Sequence, residues 1–386
     1  MTKTMSMVLP PQTIGIMGGG QLGRMLAISA RQMGYKVIIL EPKADCPAKD
    51  FANKHIIANY DDKNALDLLG LEADIITTEF ENVPAQSMKY LSQFKPVYPK
   101  YDALLIAQNR LKEKQFFNQA GIHTTEYYEI KHTTDIDLVN VSIYPAILKT
   151  TTLGYDGKGQ IPVNNKEDLI AAFNTLRQTE CILEKKLKIS KEVSVIVARN
   201  MKESCTYDIV ENTHKNGILD ISIAPARINE NLKNELQDWA IAIVNQLDYI
   251  GVLAIEFFIT SENKIIANEM APRPHNSGHH TIDACITSQF EQQIRSICNL
   301  KLGNSALHSR AIMLNLLSDI YKSPSNMLYP SWDKVLAKYD NVKLHLYDKH
   351  LSTALLGRKM GHLTFIGKDI DTLLKQAEEV KLSFYK

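Results

Sequence analysis

No run in the 386-residue sequence approaches the ~18 consecutive apolar residues needed to span a bilayer. The most apolar stretch, residues 252–259, is short and carries Glu256. Residues 1–12 lack the basic-then-apolar order of a secretory leader, so the expected compartment is the cytoplasm, with no membrane partner. Excess charge is missing too: 44 Lys and Arg stand against 43 Asp and Glu, a formal net charge of +1. That balance excludes a broadly basic surface for coating nucleic acid but leaves room for a local anion site. The five cysteines, Cys46, Cys181, Cys205, Cys285 and Cys298, include no Cys-x-x-Cys pair. They predict small buried hydrophobes in a reducing compartment rather than a disulfide framework or thiolate metal centre. No internal repeat or low-complexity tract stands out.

What is present is a chain that is 45% hydrophobic, long enough for two or three domains at roughly 100–200 residues each. In the first hundred residues, 13–17, 36–40 and 73–78 read as strands, and 21–33 as a helix stopped by Gly34. This alternation predicts a parallel sheet with right-handed crossovers. Residues 96–100, with two prolines, read as a linker, and residues 103–120 as one charged amphipathic helix closed by Gly121. Beyond it, strands at 146–149, 181–184, 192–197, 252–259 and 264–268 interleave with helices at 166–176 and 235–247, predicting a mixed α+β domain. Strand patterns at 311–317, 342–347 and 361–366 predict a small β-rich third domain.

Three constellations carry chemistry. Gly18, Gly20 and Gly23 form Gly-x-Gly-x-x-Gly between a strand and a helix, where free N–H groups and the helix dipole suit a phosphate. Glu41 stands at the end of the next strand, where a dinucleotide fold carries its ribose acid. Alone, this motif is compatible with a dinucleotide, another phosphorylated ligand, or mere packing of helix on strand. Next, Lys149 ends a strand and is followed by a loop with Gly154, Gly157 and Gly159 and several hydroxyls. It is not a Walker loop; it predicts a mobile cover for a nucleoside triphosphate, with Lys149 and Lys158 charging its oxygens. A hairpin turn with a solvated lysine is the competing reading.

The third constellation is a hairpin. Glu256 sits in a strand too apolar to carry an idle charge, and Glu269 lies on the expected partner strand. Two facing carboxylates make a hard oxygen site suited to magnesium on nucleotide phosphates; the alternative is a buried ion pair with Lys or Arg. Pro272 and Pro274 then present Arg273, His275 and Asn276 together. Arg273 suits a planar anion. His275 and His279 have the spacing of helical zinc ligands, but the prolines oppose a helix, so His275 is expected to handle an anion or a proton.

The latter two constellations resemble the ATP-grasp superfamily. Residues 109–114 (Asn-Arg-Leu-Lys-Glu-Lys), 154–160 (Gly-Tyr-Asp-Gly-Lys-Gly-Gln), 268–279 and 357–362 resemble the 5-(carboxyamino)imidazole ribonucleotide synthase family in particular, from about residue 13 to about residue 363. The resemblance implies a Rossmann-like front domain (1–104), an ATP-grasp domain of two α+β subdomains (105–302) and a small β-rich carboxy-terminal domain (303–386). It implies a cytoplasmic, homodimeric ligase that uses ATP and magnesium to carboxylate 5-aminoimidazole ribonucleotide with bicarbonate through carboxyphosphate. It also moves the glycine turn from a nicotinamide site to part of the ribonucleotide site.

The same resemblance implies residue roles. Arg110 and Lys149 contact ATP phosphates, with residues 154–160, among them Tyr155, Asp156 and Gln160, as lid. Glu184, Lys185, Lys186 and Leu187 form the adenine hinge, Glu192 takes the ribose and His214 is a further nucleotide contact. Glu256 and Glu269 hold magnesium, with Asn268 beside them. Arg273 and His275 position bicarbonate and carboxyphosphate, while Tyr155 and Asp156 face the imidazole amine. Gly20, Gln21, Leu22, Glu81, Asn276, Lys349, Arg358 and Lys359 are assigned to the ribonucleotide. Two departures stand out: Thr151 replaces a usual arginine and Leu153 a usual glycine, which stiffens the lid entrance. The alternatives are another ATP-grasp ligase, such as the formate-using transformylase, a nicotinamide-dependent dehydrogenase resting on Gly18–Gly23 and Glu41 alone, and a non-catalytic ATP-grasp scaffold.

Overall fold

The computed structural model describes residues 6–152, 159–321, 330–349 and 357–384. Leu153, Gly154, Tyr155, Asp156, Gly157 and Lys158 of the expected lid lie outside the described residues. The front region is a four-stranded sheet of β1 (Thr13–Met17), β2 (Lys36–Leu40), β3 (Lys54–Ile56) and β4 (Ile75–Thr78), in the order β3-β2-β1-β4. Every pairing in it is parallel, as the strand–helix alternation predicts. Apolar clusters cover both faces, which is why these strands read as continuous apolar runs rather than alternating ones. The supposed linker at 96–100 extends this sheet: Val97 bridges Ile76 in parallel, and Val97 and Tyr98 are buried. Two prolines did not prevent the pairing because it needs only the Tyr98 N–H, which donates to Ile76 O, and the Pro96 carbonyl, which accepts from Ile76 N.

A second, antiparallel sheet contains β5 (Tyr127–Ile130), β6 (Ala146–Thr150), β7 (Gln160–Val163) and β8 (Cys181–Lys185), ordered β5-β8-β6-β7. The largest sheet has nine strands: β9 (Ile189–Arg199), β10 (Ser204–Thr206), β11 (Val210–Lys215), β12 (Ile218–Ala224), β13 (Gly251–Thr260), β14 (Ile265–Ala271), β15 (Arg310–Leu317), β16 (Val342–Leu346) and β17 (Lys359–Gly367). Its order is β14-β13-β9-β11-β12-β15-β17-β16, with β10 beside β9. The carboxy-terminal strands therefore continue the middle sheet through the β12–β15 pairing, in which Ile223 meets Ile312, and helix Ile370–Phe384 covers their apolar face.

One expected helix is two. The 103–120 segment splits into helices Tyr101–Ala107 and Arg110–Gln119. Asn109 leaves helical geometry (φ −134°), and its side-chain oxygen accepts from the N–H groups of Leu111 and Lys112, an N-cap that begins a new helix in mid-pattern. Likewise the helix expected at 235–247 starts earlier, at Glu230, capped by Asn229. Four cysteines are buried, Cys205 is half-buried, and all five are free. Among the described residues, no helix is long and apolar enough to cross a membrane.

Candidate functional site

A cavity of about 590 Å³ opens between the second sheet and the β13–β14 end of the large one. The break at Asn109 builds one wall. It places Arg110 at the start of its helix, where its backbone N–H donates to Thr151 O at 2.9 Å and its guanidinium lies 3.3 Å from Glu269 Oε2. One turn on, Glu113 and Lys114 point inward and are buried. Glu113 Oε1 accepts from Met270 N at 2.6 Å, and Lys114 Nζ donates to Asn268 O at 2.8 Å. Both residues belong to the 109–114 motif, but on a charged helix they pass for a solvated face and carry no local sign of their role. Burial, with Glu269 nearby, pushes the Glu113 carboxyl up to about 8.

Lys149, from β6, donates to Glu184 Oε2 on β8 at 2.6 Å, and Lys114 Nζ stands 3.7 Å from the other carboxylate oxygen. Burial alone would raise the Glu184 carboxyl; the two ammonium groups outweigh it and bring it down to about 2. Glu184 is thus a buried anion between two lysines, and Lys149 is held at the cavity wall. The strand end narrows the hinge expectation. The Lys185 and Lys186 N–H groups donate to Glu126 O and Pro145 O, which leaves adenine to be met there by other backbone groups of the strand end. Leu187 also lines the cavity, as does Gln160.

The hairpin forms as expected. Glu256 and Glu269 are direct partners across β13 and β14, with Asn268 adjoining at the cavity wall. Burial and the neighbouring Glu269 push the Glu256 carboxyl up to about 7. Nearby, His214 Nδ1 lies 2.6 Å from Glu192 Oε2. Burial pulls the imidazole down, but Glu192 outweighs it and the net direction is upward. Two crowded carboxylates without enough donors are the arrangement a hard divalent cation relieves, so these residues fit magnesium.

After β14, the proline-fixed segment brings Arg273 against Glu81, to which its Nε donates. Burial favours the neutral form of Glu81, yet Arg273 prevails and lowers the carboxyl below its ordinary range. His275 Nε2 is 3.6 Å from Glu256 Oε1, and burial together with Arg273 drives the imidazole well below its usual value, so it is neutral. The buried Asn276 also lines the cavity, and among the described residues neither of its amide atoms has a hydrogen-bond partner. His275 caps the 3₁₀ turn Asn276–Gly278, so the His275–His279 spacing does not lie on one α-helix.

Lys359, the first residue of β17, reaches the same cavity. Beside it, Lys349 Nζ donates to Lys359 O at 2.8 Å; burial and Arg358 bring the Lys349 amine down to about 7, against the pull of Glu79. This basic group adjoins the glycine turn, where the sequence reading meets its main correction. Gly20 N and Gly23 N donate to Glu79 Oε1 and Oε2 at 2.5 and 2.6 Å, and Gly19 N donates to Glu41 Oε2 at 3.0 Å. Amides taken as open to a phosphate are engaged by the protein's own carboxylates. A Cβ on Gly18 (φ +105°) or Gly20 would collide with Glu79, so these glycines admit that side chain. Gly20, Gln21 and Leu22 do not line the cavity. Glu41, the supposed ribose acid, instead accepts from Gly19, Lys43 and Tyr60.

Comparison with known proteins agrees along the chain. The family model for the ribonucleotide synthetase preATP-grasp domain matches residues 11–108, that for the ATP-grasp domain residues 115–290, and that for the phosphoribosylaminoimidazole carboxylase C-terminal domain residues 311–376. The N5-carboxyaminoimidazole ribonucleotide synthase of Staphylococcus aureus (strain COL) is 42% identical over 365 residues, 93% of this chain and 94% of the relative. That of Bacillus subtilis (strain 168) is 40% identical over 371 residues, 96% and 95%. The fold is similar to the S. aureus synthetase complexed with ADP (TM-score 0.88, 38% identity, 98% of this chain and 99% of that one). It is also similar to the Aspergillus clavatus synthase in complex with ADP and 5-aminoimidazole ribonucleotide (TM-score 0.85, 27% identity, 97% and 98%). With a full-length relationship on both counts, and a cavity assembled from all three matched regions, the chain belongs to the N5-carboxyaminoimidazole ribonucleotide synthase family.

Proposed function

We propose that this protein catalyses the ATP-dependent carboxylation of 5-aminoimidazole ribonucleotide by bicarbonate, releasing ADP and phosphate. The observation that carries the reading is the convergence, in one cavity, of the Glu256–Glu269 pair with Lys149, Arg110 and the Arg273–His275 segment. Arg110 and Lys149 take the nucleotide phosphates, and Leu187 supplies the hinge amide for adenine. Glu192 and His214 receive the ribose. Glu256 and Glu269 hold magnesium, which when bound screens the phosphate oxygens and withdraws charge from the transferring phosphorus. In the family reaction, a bicarbonate oxygen attacks the γ-phosphorus and the bond to ADP breaks, giving carboxyphosphate. The amine then bonds to the carboxyl carbon as phosphate leaves, and the amine gives up a proton.

Each chain residue has a task compatible with its ionisation. Arg273 is kept charged and aimed by the ionised Glu81, so it offers a planar fork to bicarbonate. His275 is neutral, so it can hydrogen-bond that anion without adding a charge to the site. Asn276, with a buried amide that has no partner among the described residues, offers a donor and an acceptor to the ribonucleotide; Lys359 and Arg358 supply charge for its phosphate, and Lys349, its amine brought down to about 7, gains charge as that phosphate binds. Tyr155 and Asp156 complete the proposal as the groups facing the amine. The reaction brings two anions together away from water, which is where fixed positive groups and exclusion of solvent count most.

The deciding experiment follows ADP formation with each component omitted in turn. The expected result is turnover that needs bicarbonate and rises with 5-aminoimidazole ribonucleotide. Equal stimulation by formate with glycinamide ribonucleotide would overturn the assignment in favour of the other ligase. Saturable NADH binding without ATP binding would overturn it in favour of the dehydrogenase.

A further inference from the structure

Where β16 and β17 pair, the reaction leaves a group of side chains unused. His345 and His362 are direct cross-strand partners on β16 and β17. Their rings stack at 4.5 Å with an interplanar angle of 11°. Opposed residues of an antiparallel pair hold their Cβ atoms about 4.5–5.5 Å apart, close enough for two imidazoles to share one cation after a small rotation. Asp283, from the helical turn Thr281–Ala284, closes the third side: its Oδ2 is 2.8 Å from His345 Nε2. One ligand atom from each of the three residues lies within 4.8 Å of the others.

A second observation points to a ligand. His362 is fully buried, its Nδ1 is 2.8 Å from Tyr347 Oη, and its Nε2 has no partner among the described residues. With the Nδ1–H donating to the tyrosine oxygen, a lone pair remains on Nε2, the tautomer that metal-bound histidines adopt when a neighbouring oxygen orients the ring. His345 and Asp283 keep side-chain exposures of 28% and 11%, leaving an entry path and room for a water as fourth ligand.

We propose that His345, His362 and Asp283 form a binding site for a divalent transition-metal cation of the zinc class. Two imidazoles and one carboxylate select zinc, cobalt or copper over magnesium. The site is separate from the Glu256–Glu269 pair, which offers only oxygen. Bound metal ties the turn that follows the Asn276–Gly278 segment to the strands carrying Lys359, so its effect is to hold the two sides of the ribonucleotide end together.

The test uses the full chain with magnesium in excess, so that the carboxylate pair is filled, and titrates Co²⁺ alone as a spectroscopic probe. The expected result is one equivalent bound, with visible d–d bands, no thiolate charge-transfer band, displacement by Zn²⁺, and a rise in Tm with Zn²⁺. His345→Gln, at the partly exposed position, is expected to weaken Co²⁺ binding at least about tenfold while keeping basal ATP turnover. Asp283→Asn provides the same reading should the first variant fold poorly. An unchanged cobalt spectrum in both variants, a thiolate band, or no binding by the wild type would overturn the proposal and leave the group a histidine–aspartate ion pair only.

Discussion

Carboxylates meet opposite circumstances at the two ends of this molecule. At the front glycine turn, Glu79 and Glu41 reach back to the amides of Gly19, Gly20 and Gly23, so a helix N-terminus that invites an anion is filled from within. In the cavity, Glu256 and Glu269 face each other across a hairpin, and Glu256 is pushed up to about 7. One pair is satisfied by the fold; the other calls for a cation from outside. A motif announces that the local backbone can bind charge, but only the tertiary partners decide whose charge it binds.

Three perturbations probe that contrast. The largest effect is expected at the charge network behind the cavity. Lys114→Met leaves the buried Glu184 with Lys149 as its only remaining ammonium partner within 4 Å among the described residues. Loss of a buried ionic partner costs about 3–5 kcal/mol, to be read as a fall in the urea midpoint. At the turn, Glu79→Ala leaves the Gly20 and Gly23 amides without their acceptor, with an expected cost of about 2 kcal/mol. The KM for 5-aminoimidazole ribonucleotide stays unchanged in that variant if the turn is structural; a rise would erase the contrast.

The third perturbation is pH. Burial and Glu269 raise the Glu256 carboxyl in the folded chain from 4.5 to about 7. Its contribution to stability is therefore greatest below its unfolded value and is lost as pH rises through about 7. A divalent cation must displace that proton. Magnesium is accordingly expected to raise Tm more at about pH 8 than at about pH 6, whereas removal of Glu79 should not alter this dependence. Calorimetry at the two pH values checks it, and an inverted trend would count against Glu256 as a ligand.

Much of the architecture was legible in the sequence, for identifiable reasons. Residues 13–17 and 36–40 are apolar runs bounded by turn residues, and they are the observed β1 and β2. Glu256 was conspicuous because a carboxylate in so apolar a strand needs a reason, whereas its exact pairing with Glu269 depends on a register shift between Glu256 and Phe257 that the turn does not announce. What escaped was set by contacts distant along the chain. Asn109 breaks a continuous amphipathic pattern by capping, and Lys114 reaches Asn268 across 154 positions. The occupancy of the glycine turn by Glu79, 59 and 56 positions from Gly20 and Gly23, leaves no local trace. Neither does the β12–β15 pairing that joins the carboxy-terminal strands to the middle sheet. The cross-strand meeting of His345 and His362 requires a register that short strands do not specify by themselves.

The central claim is that Glu256 and Glu269 form the cation-binding pair on which nucleotide chemistry depends, and Glu269→Gln addresses it most directly. Glu269 is 44% exposed at its side chain, so the isosteric amide is expected to leave the fold intact by circular dichroism and thermal melting. Bicarbonate-dependent ADP formation should fall at least about a hundredfold, the scale at which losing one charge-stabilising group acts on turnover. A natively folded Glu269→Gln protein with unchanged turnover would contradict the account.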